Sequence, residues 1–271
     1  MADPLGDIIA HYEDIDEGQR ITSGLGELEL LRTQEIIRRH LLPTPQRVLD
    51  VGGAKGVYAA WLAKQGHDVH LVDLVPQHVD AALALSVGPG TITAEVGDAR
   101  RLAVPDGSFD AALVLGPLYH LVERDDRLRA LGEARRAVRP GSFVFVAAIS
   151  RFASLFDGLA RGFLFDPDFR SMVFSDLRDG RHLNPERRAN WFTTAYFHRP
   201  EELHQEVLDA GLDPLELVGV EGLAGWLPSL AERWSDDNSR DAIMHSARVL
   251  EREPSVLGVS AHLLVVARRD T

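Results

Sequence analysis

Residues 48–74 read VLDVGGAKGVYAAWLAKQGHDVHLVDL, from Val48 to Leu74. Two apolar runs each reach an aspartate, Asp50 and Asp73. Between them lie Gly52, Gly53, Ala54 and Gly56, then a helical pattern. Short runs rich in Val and Leu around a glycine-rich stretch predict strand, turn, helix and strand, one βαβ unit. Glycines in such a turn let the backbone approach a ligand, and the helix start offers unpaired N–H groups to negative charge. Asp73 follows Asp50 by 23 residues. An acid closing the second strand is placed to accept hydrogen bonds from a ribose diol. The stretch therefore predicts an adenosine-bearing ligand.

The alternation continues outward. RVLDV, DVHLVD, TITAEVGD, SFDAALVLG and SFVFVAAIS are strand-like, with helices predicted over Tyr58–Gln65, Gln77–Leu85 and Arg127–Val138. Strict alternation of strand and helix gives a parallel sheet covered on both faces, an α/β fold. Two more strands follow late, PLELVGVEG and GVSAHLLVVARR, and the stretch between them is helical with an N-cap signal near Ser239. Pro43 and Pro45 set off an N-terminal arm, residues 1–42, whose apolar residues fall at helical spacing from Leu25 to Leu42. The expected organisation is that arm, a ligand-binding core at 43–150, a helical insertion at 151–200, and a C-terminal completion of the sheet at 201–271 with a helical insertion at 224–254.

Composition narrows the function. The chain has 271 residues, 45% of them hydrophobic, enough for a sizeable core. A net charge of -12 gives no general attraction to nucleic acid or anionic membranes. The absence of cysteine excludes disulfides, thiolate metal sites and cysteine nucleophiles. No run approaches the length of a membrane span and the N-terminus lacks an apolar signal core, so a cytoplasmic protein is expected. No histidine–carboxylate spacing resembles a metal site, and no metal is expected.

The turn itself discriminates between cofactors. A dinucleotide turn requires G-x-G-x-x-G. Counted from Gly52, the third and sixth positions are Ala54 and Val57; counted from Gly53, they are Lys55 and Tyr58. Neither frame fits. A Walker loop places its lysine after the glycine, whereas Lys55 precedes Gly56. A carboxylate at Asp50 would also repel a pyrophosphate and attract an amine. S-adenosylmethionine, with its ammonium, sulfonium and ribose, suits both acids better.

VLDVGGAKG resembles the D-x-G-x-G-x-G signature of class I S-adenosylmethionine-dependent methyltransferases, with Ala54 replacing the middle glycine. HLVDL, VGDARRLAVPDGSFDAALVLGPLYHL and EARRAVRPGSFVFVA resemble the later motifs of that family, in order and at compatible spacing. The resemblance runs from about Val48 to Ile149, and more weakly to Arg269. LGPLYHL and FTTAYFHRPEEL further resemble bacterial small-molecule methyltransferases. The fold so implied is a doubly wound, Rossmann-like, seven-stranded sheet, mostly parallel, with its last strand antiparallel and helical lid additions.

The resemblance also implies roles. Asp50 would contact the methionine amino group, while Gly52, Gly53, Ala54 and Gly56 shape the turn. Asp73 would accept from the ribose hydroxyls with Leu74 packed on the adenine. Asp98 and Ala99 would lie at the adenine edge, and Leu115 near the methionine end. In the arm, Tyr12 would reach the sulfonium and Arg20 the methionine carboxylate. For catalysis, Tyr119 and His120 follow the fourth strand at the carboxyl edge, where ligands bind. His120 is the leading base candidate because its ordinary pKa is near neutral, and His198 in AYFHRP is the second. The insertion 151–200 holds eight of the eleven phenylalanines plus Trp191 and Tyr196, which suggests an aromatic cover over the acceptor.

GPLY stands where nucleic-acid base N-methyltransferases carry an Asn/Asp-Pro-Pro-Tyr-like motif, and Gly116 has no side chain to hold an acceptor amine. The expected activity is methyl transfer from S-adenosylmethionine to oxygen or nitrogen of a small acceptor, leaving S-adenosylhomocysteine. No nucleic-acid or membrane partner is expected, and a homodimer is compatible. Three alternatives stay open: a methyltransferase acting on protein or RNA, an S-adenosylmethionine-binding protein of other activity, and an NAD-type oxidoreductase.

Overall fold

The computed structural model describes residues 21, 25–85, 88–184, 188 and 191–270. Tyr12 and Arg20 lie outside the described residues. The chain enters through helix α1 (Leu25–Arg38) and alternates through β1 (Arg47–Val51), α2 (Val57–Lys64), β2 (Asp68–Asp73), α3 (Pro76–Leu83) and β3 (Thr91–Val96). It continues through β4 (Phe109–Val114), the single turn α4 (Pro117–His120), α5 (Arg124–Ala137) and β5 (Val138–Ile149). Next come α6 (Ala153–Arg161), α7 (Pro167–Asp179) and a ribbon of β6 (Arg181–His182) and β7 (Ala195–Tyr196). The chain ends with α8 (Pro200–Asp209), β8 (Leu212–Gly219), α9 (Leu230–Trp234), α10 (Asp237–Leu250) and β9 (His262–Arg269).

Seven strands form one sheet in the order β3-β2-β1-β4-β5-β9-β8. Every pairing from β3 to β5 is parallel, and β9 runs antiparallel to both β5 and β8. The fold is the doubly wound α/β sheet with an antiparallel last strand that the sequence implies. Side chains alternate along each strand. Leu49, Val51, Ala112, Val114, Val144 and Val146 pack against α5 and α8. Val48, Leu71, Leu113, Phe145, Val218 and Leu264 pack against α1 and α2. Each fully buried aliphatic side chain contributes about 1.5–3 kcal/mol, so the two faces carry most of the fold's stability.

The strand order reverses between β1 and β4, and a crevice opens there at the carboxyl ends of the strands. α1 is held over that end by Arg32. This fully buried side chain donates to the Val220 carbonyl at 3.2 Å and pairs with Glu35 and Glu251. One local expectation needs correction. α1 stops at Arg38 rather than Leu42. The cap signal near Ser239 resolves to Asp236, whose carboxylate accepts the Ser239 N–H at 2.8 Å.

Candidate active site

The β1–α2 turn is built by Asp73. One carboxylate oxygen accepts the Ala54 N–H at 2.8 Å; the other accepts Val75 N–H at 2.9 Å and His78 Nδ1 at 3.1 Å. The glycines have steric reasons. Gly52 has φ +68°, and a Cβ there would lie 2.7 Å from the Pro117 ring. A Cβ on Gly53 would lie 2.6 Å from Asp50 Oδ2. The middle position, Ala54, adopts φ 47°, the left-handed region that costs a non-glycine residue about 1–2 kcal/mol. Gly56, at φ 81°, starts α2.

A single cleft runs along this edge. Asp50, Gly52, Gly53, Ala54, Asp73 and Leu74 line one end. Asp98, Ala99 and Leu115 line its flank, and Tyr119 and His120 continue it beyond β4. Gly56 shapes the turn from behind the wall. Asp98 also closes its own turn: it accepts the Arg100 N–H at 2.9 Å and is gripped by the Arg100 guanidinium, which holds its carboxyl below the usual range. Tyr119 meets His120 edge-on at 4.6 Å, and Phe192 stacks on His120 at 6.0 Å.

Asp50 is the electrostatic anomaly. It is 1% exposed, and its Oδ2 has no hydrogen-bond partner among the described residues. Burial, and secondarily the charge of Asp73, push its pKa up to about 7. A cationic group seated against Asp50 relieves that cost, so the turn fits the ammonium of S-adenosylmethionine. The sign follows. Between the ordinary 3.8 and about 7 the folded chain keeps a proton that the unfolded chain releases, so stability falls as pH rises through that window. If Asp50 holds the ammonium of S-adenosylmethionine, that ligand favours the ionised carboxylate. Its affinity is therefore expected to weaken up to about tenfold per pH unit below 7, a slope that Asp50→Asn removes. Titration calorimetry between pH 5.5 and 7.5 reads both.

Three expected residues do not line the cleft. His198 is fully buried, with Nε2 3.1 Å from Glu206, behind the cleft wall rather than on it. Tyr196 stacks under the Arg127 guanidinium at 3.7 Å and edge-on to His198. Trp191 packs on Phe169 at 5.6 Å. No described residue of 151–200 lines the cleft. The aromatics there pair with one another and with neighbouring elements: Phe163 with Phe169, Phe156 with Trp226, and Phe192 with His120.

The sequence reading missed the other end of the cleft, which is walled by Glu29 and Thr33 of α1, Ala147 of β5, Val220 and His262. Ligand atoms of Glu29, Glu221 and His262 lie within 4.8 Å of one another. These positions are remote in sequence and carry no spacing signal. The available clue was topological: an antiparallel last strand begins at the carboxyl edge, which places His262 beside the site.

Comparisons agree with this geometry. Residues 49–146 match the family model of a methyltransferase domain. The O-methyltransferase rstn1 of Aspergillus nomiae is 31% identical over 172 residues, spanning 54% of this chain and 74% of its own. The O-methyltransferase resE of Aspergillus sclerotiorum is 29% identical, and the match spans 63% of its length. A ubiquinone biosynthesis O-methyltransferase of Chromobacterium violaceum is 28% identical over 202 residues, 72% of this chain and 76% of that protein. Among solved structures, the 1,6-didemethyltoxoflavin-N1-methyltransferase of Burkholderia thailandensis, with bound S-adenosylhomocysteine, superposes with TM-score 0.58 at 16% identity, covering 100% of this chain and 92% of that one. The chain belongs to the class I S-adenosylmethionine-dependent methyltransferases. It is an enzyme of that class, and no described helix is long and apolar enough to cross a membrane.

Proposed function

We propose that the protein methylates an oxygen atom of a small, largely apolar acceptor, with S-adenosylmethionine as donor and S-adenosylhomocysteine as product. The observation that carries the cofactor half is the buried, unpartnered Oδ2 of Asp50 beside a glycine turn braced by Asp73. Asp50 would hold the ammonium, Asp73 the ribose, Leu74 and Ala99 the adenine faces, and Asp98 its edge. S-adenosylmethionine supplies a methyl group already activated by its sulfonium. The protein's task is to orient the acceptor against that carbon and exclude water.

The acceptor half rests on the apolar wall of Leu115, Ala147 and Val220, which continues the cleft past Tyr119 and His120. Those two side chains would position the acceptor, with Phe192 stacked behind His120. The named O-methyltransferase relatives favour oxygen over nitrogen. The chain's charge of -12 speaks against nucleic-acid substrates. The test is transfer of labelled methyl from S-adenosylmethionine to phenols, aromatic amines, transfer RNA and a denatured-protein mixture. Label in phenols is the expected result. Label confined to amines or macromolecules contradicts it.

A further inference from the structure

We propose that His182 is a positioning residue for the methyl acceptor: it holds the Phe192 carbonyl, and the Phe192 ring in turn fixes His120 and Tyr119 on the cleft wall. The proposal rests on the reading of Tyr119 and His120 as the acceptor's wall. It adds a residue that lies behind that wall and never touches the acceptor. His182 ends β6, and Phe192 precedes β7 in the insertion that follows β5.

The imidazole is fixed in place and in plane. His182 and Asp176 of α7 are each 1% exposed, and Nδ1 lies 2.7 Å from Asp176 Oδ2. Phe197 stacks on the ring at 5.0 Å. Nε2 is thereby aimed at the Phe192 carbonyl oxygen, 3.2 Å away. A carbonyl only accepts, so Nε2 carries a proton and donates it. Asn184 Nδ2 donates to the same oxygen, also at 3.2 Å. The Asn184 side chain is itself set by the Arg188 N–H, which it accepts at 2.9 Å. Two donors meet both lone pairs of the Phe192 carbonyl, and its peptide cannot rotate without losing one. From that anchored residue the ring stacks on His120 at 6.0 Å and 21°, and leans on Tyr119 at 6.2 Å.

The support matters because of where Tyr119 and His120 sit. Their helix, α4, is one turn long. Four residues offer these side chains no neighbouring turn to pack on, so what lies behind them sets their rotamers. Among the described residues, Phe192 is the ring that packs on both. The two nitrogens of His182 divide the work. Nδ1 ties α7 to the β6–β7 ribbon, a contact the fold alone would use. Nε2 reaches Phe192, and only that contact leads to the cleft.

This division sets the test. The side-chain nitrogen of asparagine falls near histidine Nδ1, and that of glutamine near Nε2. Wild type is compared with His182→Asn, His182→Gln, Phe192→Leu and the double variant His182→Asn with Phe192→Leu, using catechol and aniline as acceptors. S-adenosylhomocysteine affinity by calorimetry should match wild type throughout, which also reports folding. His182→Asn keeps the Asp176 contact and loses the carbonyl. Its acceptor KM should rise about tenfold and kcat fall about threefold, with KM for S-adenosylmethionine unchanged. His182→Gln keeps the donor to Phe192 and should stay within about threefold of wild type, although it gives up the Asp176 contact and melts lower. Phe192→Leu should match His182→Asn, and the double variant should be no worse than either, because both act through one ring. Nitrogen-15 spectra should show His182 Nε2 protonated, and the His120 ring resonances displaced in His182→Asn but not in His182→Gln. Additive losses in the double variant, equal losses in His182→Asn and His182→Gln, an unprotonated Nε2, or wild-type acceptor KM in His182→Asn would overturn the proposal. A wild type that binds S-adenosylhomocysteine but methylates neither acceptor would overturn the acceptor reading, and the His120 spectra would still decide whether His182 sets that wall. Failure to bind S-adenosylhomocysteine would instead overturn the cofactor reading.

Discussion

Asp73→Asn is expected to weaken S-adenosylhomocysteine binding at least a hundredfold, a loss of about 2.7 kcal/mol. Two effects combine. The carboxylate closes the second strand, where the ribose is expected, and it also shapes the turn by accepting Ala54 N–H, Val75 N–H and His78 Nδ1. An asparagine has one acceptor oxygen and presents an NH2 group to at least one of those donors, so the turn loses bonds worth about 1–3 kcal/mol. One consequence runs the other way. The Asp73 charge is the second cause of the raised Asp50 pKa, so its removal lets Asp50 ionise at lower pH. The variant should therefore fold, bind poorly, and show a shifted Asp50 titration. Calorimetry and carboxylate NMR read these separately. Wild-type affinity in the variant would remove Asp73 from the cofactor site.

The second large effect is structural. Arg127 is 1% exposed, and its guanidinium pairs bidentately with Glu206 at 2.9 and 2.6 Å. It also donates to the carbonyls of Leu121 and Val122 and covers the Tyr196 ring. His198 completes the group through Glu206. Arg127→Ala leaves a buried carboxylate without its cation, which costs about 3–5 kcal/mol. In a chain this long that lowers Tm by roughly 10 °C. Arg127→Lys should recover little, because an ammonium cannot make the planar bidentate contact. Burial alone would raise the Glu206 carboxyl, but Arg127 and His198 bring it down to about 2. A depressed carboxyl stabilises the fold above its ordinary 4.5, and that contribution is lost as pH falls toward 2. Thermal melts of both variants from pH 3 to 8 check the magnitude and the sign.

These two residues also show what the chain discloses. The cofactor end is legible because one contiguous βαβ stretch carries it: periodicity gives the strands, and the glycines mark where backbone needs positive φ or close approach. Ala54 reads as a substitute glycine and in the fold does adopt φ 47°. The far end of the cleft is not legible, because Glu29, Glu221 and His262 converge only through strand order and the seating of α1 by Arg32. His198 misleads for a related reason. Its motif places it near the edge, yet burial against Glu206 and Arg127 makes it part of a support beneath the cleft. Aromatic density misleads likewise: no described aromatic of 151–200 lines the cleft, with Trp191 set against Phe169 and Phe192 against Phe197 and His120.

The most direct measurement is calorimetric titration of the wild-type protein with S-adenosylhomocysteine, S-adenosylmethionine and NAD at pH 7.5. The account predicts one site per chain for both sulfur ligands and no heat from NAD. Binding of NAD with none of either sulfur ligand would contradict it, and the carboxylate buried at the turn would then need another counter-charge.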